Sequence, residues 1–324
     1  MESTFDSIRE WDLYRARVQA ESSCGNVELS LLHVNVRSLR RHWDELLVIL
    51  SGSLASLDVL ILSEISVDEK ACSEFTLAGF HSYCLCREEK RGGGLLMFIK
   101  NDCFSDRINV SRVHAEVCAV SIHKSSSSYI VCAVYRPPHL SINMFCEEFS
   151  VLLRQFDNNQ HILLAGDFNI DISDETKYGV SNYLDVLSSI GLENVILDYT
   201  REEYYGCKIT KSCIDHIITR LGNVTLVPAV IKQKVADHYC VALAVLGENP
   251  ANYSSNRTVL KTVLDDKKID RLISAYDWNL LGMYDHITTY NLLVNKFKEI
   301  YKTSSMITKI KKENQKMCGL MTII

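Results

Sequence analysis

The sequence predicts a layered α/β fold in which one β-sheet packs on another. Three observations carry this expectation. Strand-like and helix-like segments alternate from residue 28 to residue 246. Several strand-like segments are apolar throughout, as strands covered on both faces are. The four prolines (Pro137, Pro138, Pro228 and Pro250) all fall outside the expected helix interiors.

Each element has its own signal. Residues 28–36 are strand-like. Leu39, Trp43, Leu46, Leu47 and Leu50 repeat at helical spacing and predict a helix over 39–50. Asp58 to Leu62 is a short apolar strand. Residues 79–86 and 95–100 form an expected hairpin, joined by a charged loop that ends at Gly92-Gly93-Gly94. Residues 115–123 and 128–135 form a second hairpin across Ser125–Ser128. A helix over 141–156, a buried strand over 161–165 and a helix over 179–190 follow. Strands at 213–219, 223–230 and 239–246 complete the region. Residues 46–63 are mostly apolar, but Gly52, Asp58 and four serines divide them into a helix end, a turn and a strand. A membrane span would need a longer uncharged run.

Residues 1–27 are expected as an N-terminal helical extension, and 28–247 as the layered domain. Glu248 to Asn256 is polar and holds Pro250, which marks 248–260 as a linker. Residues 261–324 are expected as a short α-helical tail, because Ile287, Tyr290, Leu293, Val294, Phe297, Ile300 and Tyr301 repeat at three and four. Charge divides the same way. The 324-residue chain carries 35 Lys+Arg against 40 Asp+Glu, a net −5. Residues 255–324 hold 12 basic and 7 acidic residues, a net +5, which leaves −10 on the remainder. A whole-chain nucleic-acid coat would be strongly basic and is excluded. A metal-dependent nuclease is not, because its active site is itself a cluster of carboxylates. The 12 cysteines form no C-x-x-C pair, so no structural zinc site is expected. Most lie in apolar runs and read as small buried hydrophobes of a reducing compartment. The charged N-terminus does not read as a secretory signal, so an intracellular location, cytoplasmic or nuclear, is expected.

The chemistry-bearing residues stand at strand ends. Gly166-Asp167-Phe168-Asn169 follows the apolar run His161 to Ala165. A carboxylate and an amide at the edge of a rigid strand can handle the proton of a water and hold that water or a phosphate oxygen. Glu64 follows Asp58 to Ser63 in the same way, and Asn35 interrupts the first strand between Val34 and Val36. Mg²⁺ takes one or two carboxylates plus water and substrate phosphate, which suits this set. Two Asp-His doublets, Asp215-His216 and Asp237-His238, follow strand-like or loop segments. A histidine bonded to a carboxylate through one ring nitrogen presents the other to a phosphate.

In chain order, Asn35-Val36-Arg37-Ser38-Leu39, Ser63-Glu64, Gly92-Gly93-Gly94, Tyr135-Arg136-Pro137-Pro138, Gly166-Asp167-Phe168-Asn169, Ser212 to His216 and Ala236-Asp237-His238 form a recognisable series. The chain resembles the endonuclease/exonuclease/phosphatase superfamily, and within it the apurinic-endonuclease-like domain of non-LTR (LINE-type) retrotransposon polyproteins. The resemblance covers residues 28–246. It implies a four-layered sandwich of two mixed β-sheets flanked by helices, and Mg²⁺- or Mn²⁺-dependent cleavage of a DNA phosphodiester. Glu64 would bind the metal, with Asn35 in the same cluster. Asp167 and Asn169 would activate or orient the attacking water, and Tyr135 would contact the scissile phosphate. His238, oriented by Asp215, would stabilise charge on a phosphate oxygen, with Asp237 nearby. Arg37, Arg136 and Arg91 would contact nucleic acid.

Two features depart from the family pattern. Arg37 replaces the acidic or amide residue that many relatives carry two positions after the first-strand Asn. Ala236 replaces the usual serine before Asp-His, at a cost of about one hydrogen bond, ~1 kcal/mol. The family continues into a reverse transcriptase, so the basic tail is expected to be the start of a connector. The competing readings are a catalytically weak remnant, and a phosphoesterase of the same fold acting on small phosphoesters.

Overall fold

The computed structural model describes residues 4–21, 26–87, 92–125, 127–156, 160–174, 176–205, 208–222, 224–247, 258–264, 266–283 and 286–311. The chain divides into two compact units, residues 1–252 and 253–324. The first opens with β1 (Thr4–Phe5), α1 (Ile8–Glu21), β2 (Val27–Asn35), α2 (Leu39–Leu50), β3 (Val59–Ser63) and α3 (Glu69–Cys72). Then come β4 (Phe80–Leu85), β5 (Leu95–Lys100), β6 (Phe104–Ile108), β7 (Glu116–Lys124), β8 (Ser127–Tyr135) and α4 (Ile142–Leu153). The unit continues through β9 (His161–Asp167), α5 (Val180–Ser189), β10 (Glu193–Asn194), β11 (Arg201–Tyr205) and β12 (Lys208–Ser212). It closes with β13 (Asp215–Arg220), β14 (Thr225–Val235) and β15 (His238–Leu246).

Two mixed sheets result. The first runs β1-β14-β15-β2-β3-β5-β4, with the β11–β12 hairpin attached to β15. The second runs β10-β13-β9-β8-β7-β6. Each contains an internal parallel pair, β2–β3 in one and β8–β9 in the other. Three apolar layers hold the unit together. Leu29, Leu31, Val59 and Ile61 of the first sheet meet Val131, Ala133, Leu163 and Ile217 of the second. The outer face of the first sheet is covered by α1 and α2 through Trp11, Leu39 and Leu46. The outer face of the second is covered by α4 and α5 through Phe145, Phe149 and Tyr183. The molecule is therefore a sandwich of helix, sheet, sheet and helix layers. Residues 46–63 divide into the end of α2, a short 3-10 turn at Leu54–Ser56 and β3. Among the described residues no helix is long and apolar enough to cross a membrane.

Side chains alternate across each strand, and this alternation places the polar residues. On β9, Leu163 and Ala165 face the other sheet, so Asp167 shares their face. On β13, Ile217 faces inward and Asp215 with it. On β2, Leu29 and Leu31 face inward, followed by His33 and Asn35. The layer between the sheets thus turns from apolar to polar at one end. At the other end Asp58 receives the Ser30 backbone N–H at 2.8 Å and Lys124 Nζ at 2.7 Å.

The β11–β12 hairpin, β10 and β6 carry no apolar alternation. REEYY and KITKS are largely polar, so no apolar period marks 201–212 as strands. The second unit holds α6 (Asp266–Ala275) and α7 (His286–Ser304), the latter over the expected apolar stripe. It adds a pair of strands, β16 (Thr258–Leu264) with β17 (Ser305–Lys311), which the stripe does not encode.

Gly166 explains how β9 reaches Asp167. A Cβ at this position would lie 1.7 Å from the Val134 carbonyl oxygen on the parallel neighbour β8. Only glycine lets the two backbones approach this closely. Gly166→Ala is expected to destabilise the fold by about 3 kcal/mol, at the upper end of overpacking costs. Equilibrium urea unfolding checks this, and an unchanged midpoint would contradict it.

Candidate active site

The polar end of the inter-sheet layer gathers residues from the ends of six strands, β2, β3, β8, β9, β13 and β15. Register brings them together: Asp167 is the cross-strand partner of both Tyr135 and Asp215, and Asn35 pairs with Ser63, the residue before Glu64. Asn35 is fully buried and its Nδ2 donates to Glu64 Oε1 at 3.0 Å and to Asp167 Oδ2 at 2.8 Å. One amide thus bridges two carboxylates. Its Oδ1 accepts the Arg37 backbone N–H at 3.0 Å, so Asn35 meets the carboxylates as a hydrogen-bond donor and not with its oxygen. The Asn169 backbone N–H donates to Asp167 Oδ1 at 2.9 Å. The Asn169 side-chain nitrogen donates to the Arg136 carbonyl at 2.9 Å.

Beside this lies the pair Asp215–His238. Asp215 Oδ2 accepts from His238 Nδ1 at 2.8 Å and from Thr200 Oγ1 at 2.7 Å. Both members are buried, Asp215 at 0% and His238 at 2% exposure. Burial alone would strip the imidazole of its proton, but the Asp215 carboxylate outweighs it and raises His238 to about 9. The same pairing holds Asp215 below the usual carboxylate range despite its burial. Asp167 goes the other way. Burial first, and the neighbouring Asp215 charge second, push it up to about 7. Asp167, Asp215 and His238 offer donor atoms that all lie within 4.8 Å of one another.

Other expected residues fall at the rim or outside the site. Asp237 accepts from Arg201 Nε at 2.8 Å and pairs with Arg37 Nε at 3.0 Å. The Arg37 side chain is half-exposed. Tyr135 is buried at the end of β8, with Arg87 5.8 Å over its ring, and burial together with Glu64 keeps its hydroxyl protonated. Arg136 is 3% exposed and donates to the carbonyls of Phe168, Leu140 and Asn169. It fastens the Asp167–Asn169 turn from behind and is no surface contact for nucleic acid, which corrects that expectation. Arg91 lies outside the described residues. The Asp215-His216 doublet splits across the sheet. His216 faces the helix layer, bonded to Tyr183 Oη at 2.9 Å, and burial lowers it to about 4.

Three contributors were missed. Thr200 fixes Asp215, and Arg201 holds Asp237. His33 is buried, with Nε2 3.0 Å from Ser63 Oγ and Nδ1 3.8 Å from Asp215 Oδ1. Its spacing of two from Asn35 was a readable sign, because both share one strand face. Thr200 and Arg201 lie in a polar segment without such a sign. The rim is also strained. Among the described residues, Arg37, Glu64, Ser66, Asn169 and Ala236 have positive φ, and the one other non-glycine case is Ser125 in the β7–β8 turn. Such conformations concentrate at functional sites.

The donor set suits a hard divalent cation. Glu64 is partly exposed, and the Asn35 bridge holds it beside the buried Asp167 carboxylate. One or two carboxylates completed by water and phosphate are what Mg²⁺ accepts. In cation-free protein, His238 also sets a pH dependence. Its folded value lies above the ordinary 6.5, so its contribution to stability is full below pH 6.5 and lost as pH rises through about 9. The melting temperature is expected to fall across this interval in wild type and to fall less in His238→Gln. Identical pH curves would contradict the charged pair.

No family model matches the chain, and no curated protein matches it by sequence. Solved structures do. The endonuclease domain of TRAS1, a telomere-specific non-LTR retrotransposon, superposes with a TM-score of 0.51 at 12% identity, covering 67% of this chain and 98% of that one. The 3′ phosphatase NExo from Neisseria, bound to a product DNA hairpin, matches with a TM-score of 0.51 at 17% identity over 66% of this chain and 98% of that one. An endonuclease/exonuclease/phosphatase family protein from Leptotrichia buccalis matches with a TM-score of 0.51 at 15% identity over 67% and 99%. The four-layered sandwich of this chain is the fold of the endonuclease/exonuclease/phosphatase superfamily.

Proposed function

We propose that the chain is a divalent-metal-dependent DNA endonuclease that hydrolyses a phosphodiester. The observation that carries this reading is one buried network at the polar end of the sandwich. In it Asn35 joins Glu64 to Asp167, and Asp167 adjoins the Asp215–His238 pair. Glu64, positioned by Asn35, would hold Mg²⁺ or Mn²⁺. Such a cation supplies a Lewis acid for a phosphate oxygen.

The chain's own residues supply the rest. Asp167, raised to about 7, is poised to accept the proton of an attacking water near neutral pH. Asn169, anchored on the Arg136 carbonyl, orients that water. His238 remains protonated at neutral pH, and its Nδ1 is taken by Asp215. Its Nε2 then donates to the phosphate oxygen on which charge grows in the transition state. The Tyr135 hydroxyl, kept protonated, donates to the same phosphate. Ala236 does not undo this arrangement, since the His238–Asp215 bond stays at 2.8 Å without the serine. That argues against the remnant reading.

A groove near Tyr135 has Arg107, Arg112 and His139 in its lining, beside the Arg87–Glu116 pair and His114, which is paired with Glu148, and it offers a polyanion a place to lie. The motif series favours a retrotransposon origin, with a reverse transcriptase elsewhere in the parent polyprotein, and the TRAS1 domain that shares this fold comes from a non-LTR retrotransposon. DNA inside the cell is then the partner.

Supercoiled plasmid with Mg²⁺ tests the proposal. Nicking is expected, and EDTA is expected to stop it. Asp167→Asn and His238→Gln should each slow it by about 10²–10³-fold, the range for a lost acid–base group or oxyanion donor. The wild-type rate should fall as pH rises through about 9, where His238 loses its proton. No nicking with any divalent cation, or turnover of small phosphoesters without DNA cleavage, would overturn it.

A further inference from the structure

We propose that Cys72, Cys84 and Cys86 form a binding site for one thiophilic cation, Zn²⁺, at the outer edge of the first sheet. The absence of a C-x-x-C pair hid this site from sequence. Two local periodicities build it instead. Cys84 lies in β4, the outermost strand of the sheet, and Cys86 is the first residue beyond it; two positions apart, both pack against the same apolar layer. Cys72 closes α3, which packs on that layer too. The three Sγ atoms lie within 4.8 Å of one another. A zinc ion about 2.3 Å from each sulfur needs the sulfurs about 3.8 Å apart, so small side-chain rotations suffice.

The chemistry is specific. Three sulfur donors select a soft or borderline d10 cation over Mg²⁺, so this site would not compete with the one at Glu64. Cys72 is buried, while Cys84 and Cys86 are half-buried and leave an entry path. Glu69, at the start of α3, is exposed and not among the converging groups, so a water would complete the fourth position. The remaining described cysteines differ. Cys103, Cys118, Cys132, Cys146, Cys213 and Cys240 are each buried, Cys103 beside the carboxylates of Asp58 and Asp102, and among the described residues no other three thiols converge. Zinc binding would replace the three thiol protons, which leave to solvent as the thiolates coordinate.

The site would also act on the nearby chain. Cys86 opens the β4–β5 connection, and Arg87 beside it pairs with Glu116. The connection returns through Gly93 and Gly94, whose carbonyls accept the backbone N–H groups of Ser66 and Ile65, the residues that follow Glu64. A cation on Cys86 would therefore brace one end of a connection whose other end is hydrogen-bonded to the residues after Glu64.

Cobalt titration of the full chain, reduced and stripped of metal, tests this. One equivalent of Co²⁺ should give thiolate-to-metal charge-transfer absorption with the visible bands of tetrahedral cobalt, and equimolar Zn²⁺ should bleach both. Cys84→Ser and Cys86→Ser should each weaken the charge-transfer band, and the double variant should abolish it. Zn²⁺ should raise the wild-type melting temperature and leave that of the double variant unchanged. Equal melting of both proteins without metal verifies that the variant folds. Cys118→Ser and Cys132→Ser should behave as wild type. No charge-transfer band, or a band that survives intact in the double variant, would overturn the proposal. So would reduced protein that takes up no cobalt and forms only a Cys72–Cys86 disulfide on oxidation.

Discussion

Two carboxylates buried side by side dominate this structure. Asp167 and Asp215 are cross-strand partners, each within 1% of full burial. Buried charges of the same sign repel and lack water, so they persist only when opposite charge, a proton or hydrogen bonds compensate them. The protein divides the problem. Asp215 receives the His238 imidazolium and the Thr200 hydroxyl and stays ionised. Asp167 receives the Asn35 amide and one backbone N–H and is left near neutrality. Neighbouring carboxylates with values pushed apart are the pattern of an acid–base site.

The sandwich exists, in this view, to hold that imbalance. Apolar residues fill the inter-sheet layer along most of each strand and exclude water from the polar end. The parallel pairs β2–β3 and β8–β9 bring Asn35, Glu64, Tyr135 and Asp167 to the same edge, and antiparallel β13 returns Asp215 to it. Gly166 lets β9 run on to that edge against the Val134 carbonyl. Arg136 then locks the turn beyond it with its own buried guanidinium. A residue that reads as a surface cation in sequence is thus a strut, because the carbonyls it satisfies belong to a turn that has no ladder partners.

Much of this was legible beforehand. The helices over 39–50 and 179–190 and the strands carrying Asn35 and Asp167 follow from apolar period, which reports burial directly. Glu64 and Asp167 stood out because a carboxylate ending an apolar strand has few reasons to be there. What escaped were contacts made across the sandwich. Nothing in a sequence couples Thr200 to Asp215, or Arg201 to Asp237, because both bonds depend on a polar hairpin without periodic signal. The motif series did pair Asp215 with His238, and the structure has that bond at 2.8 Å. Strand alternation gives the reason: adjacent residues face opposite ways, so Asp215 cannot share a site with His216. Positive φ at Arg37, Glu64, Asn169 and Ala236 was equally invisible, since none of them is glycine.

The central claim is that Glu64, held by the Asn35 bridge beside Asp167, forms a hard-cation site at the polar end of the sandwich. Anomalous scattering from crystals soaked in Mn²⁺ tests it most directly. The account predicts a peak within bonding distance of a Glu64 carboxylate oxygen, lost in Glu64→Gln. A peak only elsewhere on the molecule, or none at any soaking concentration, would contradict it.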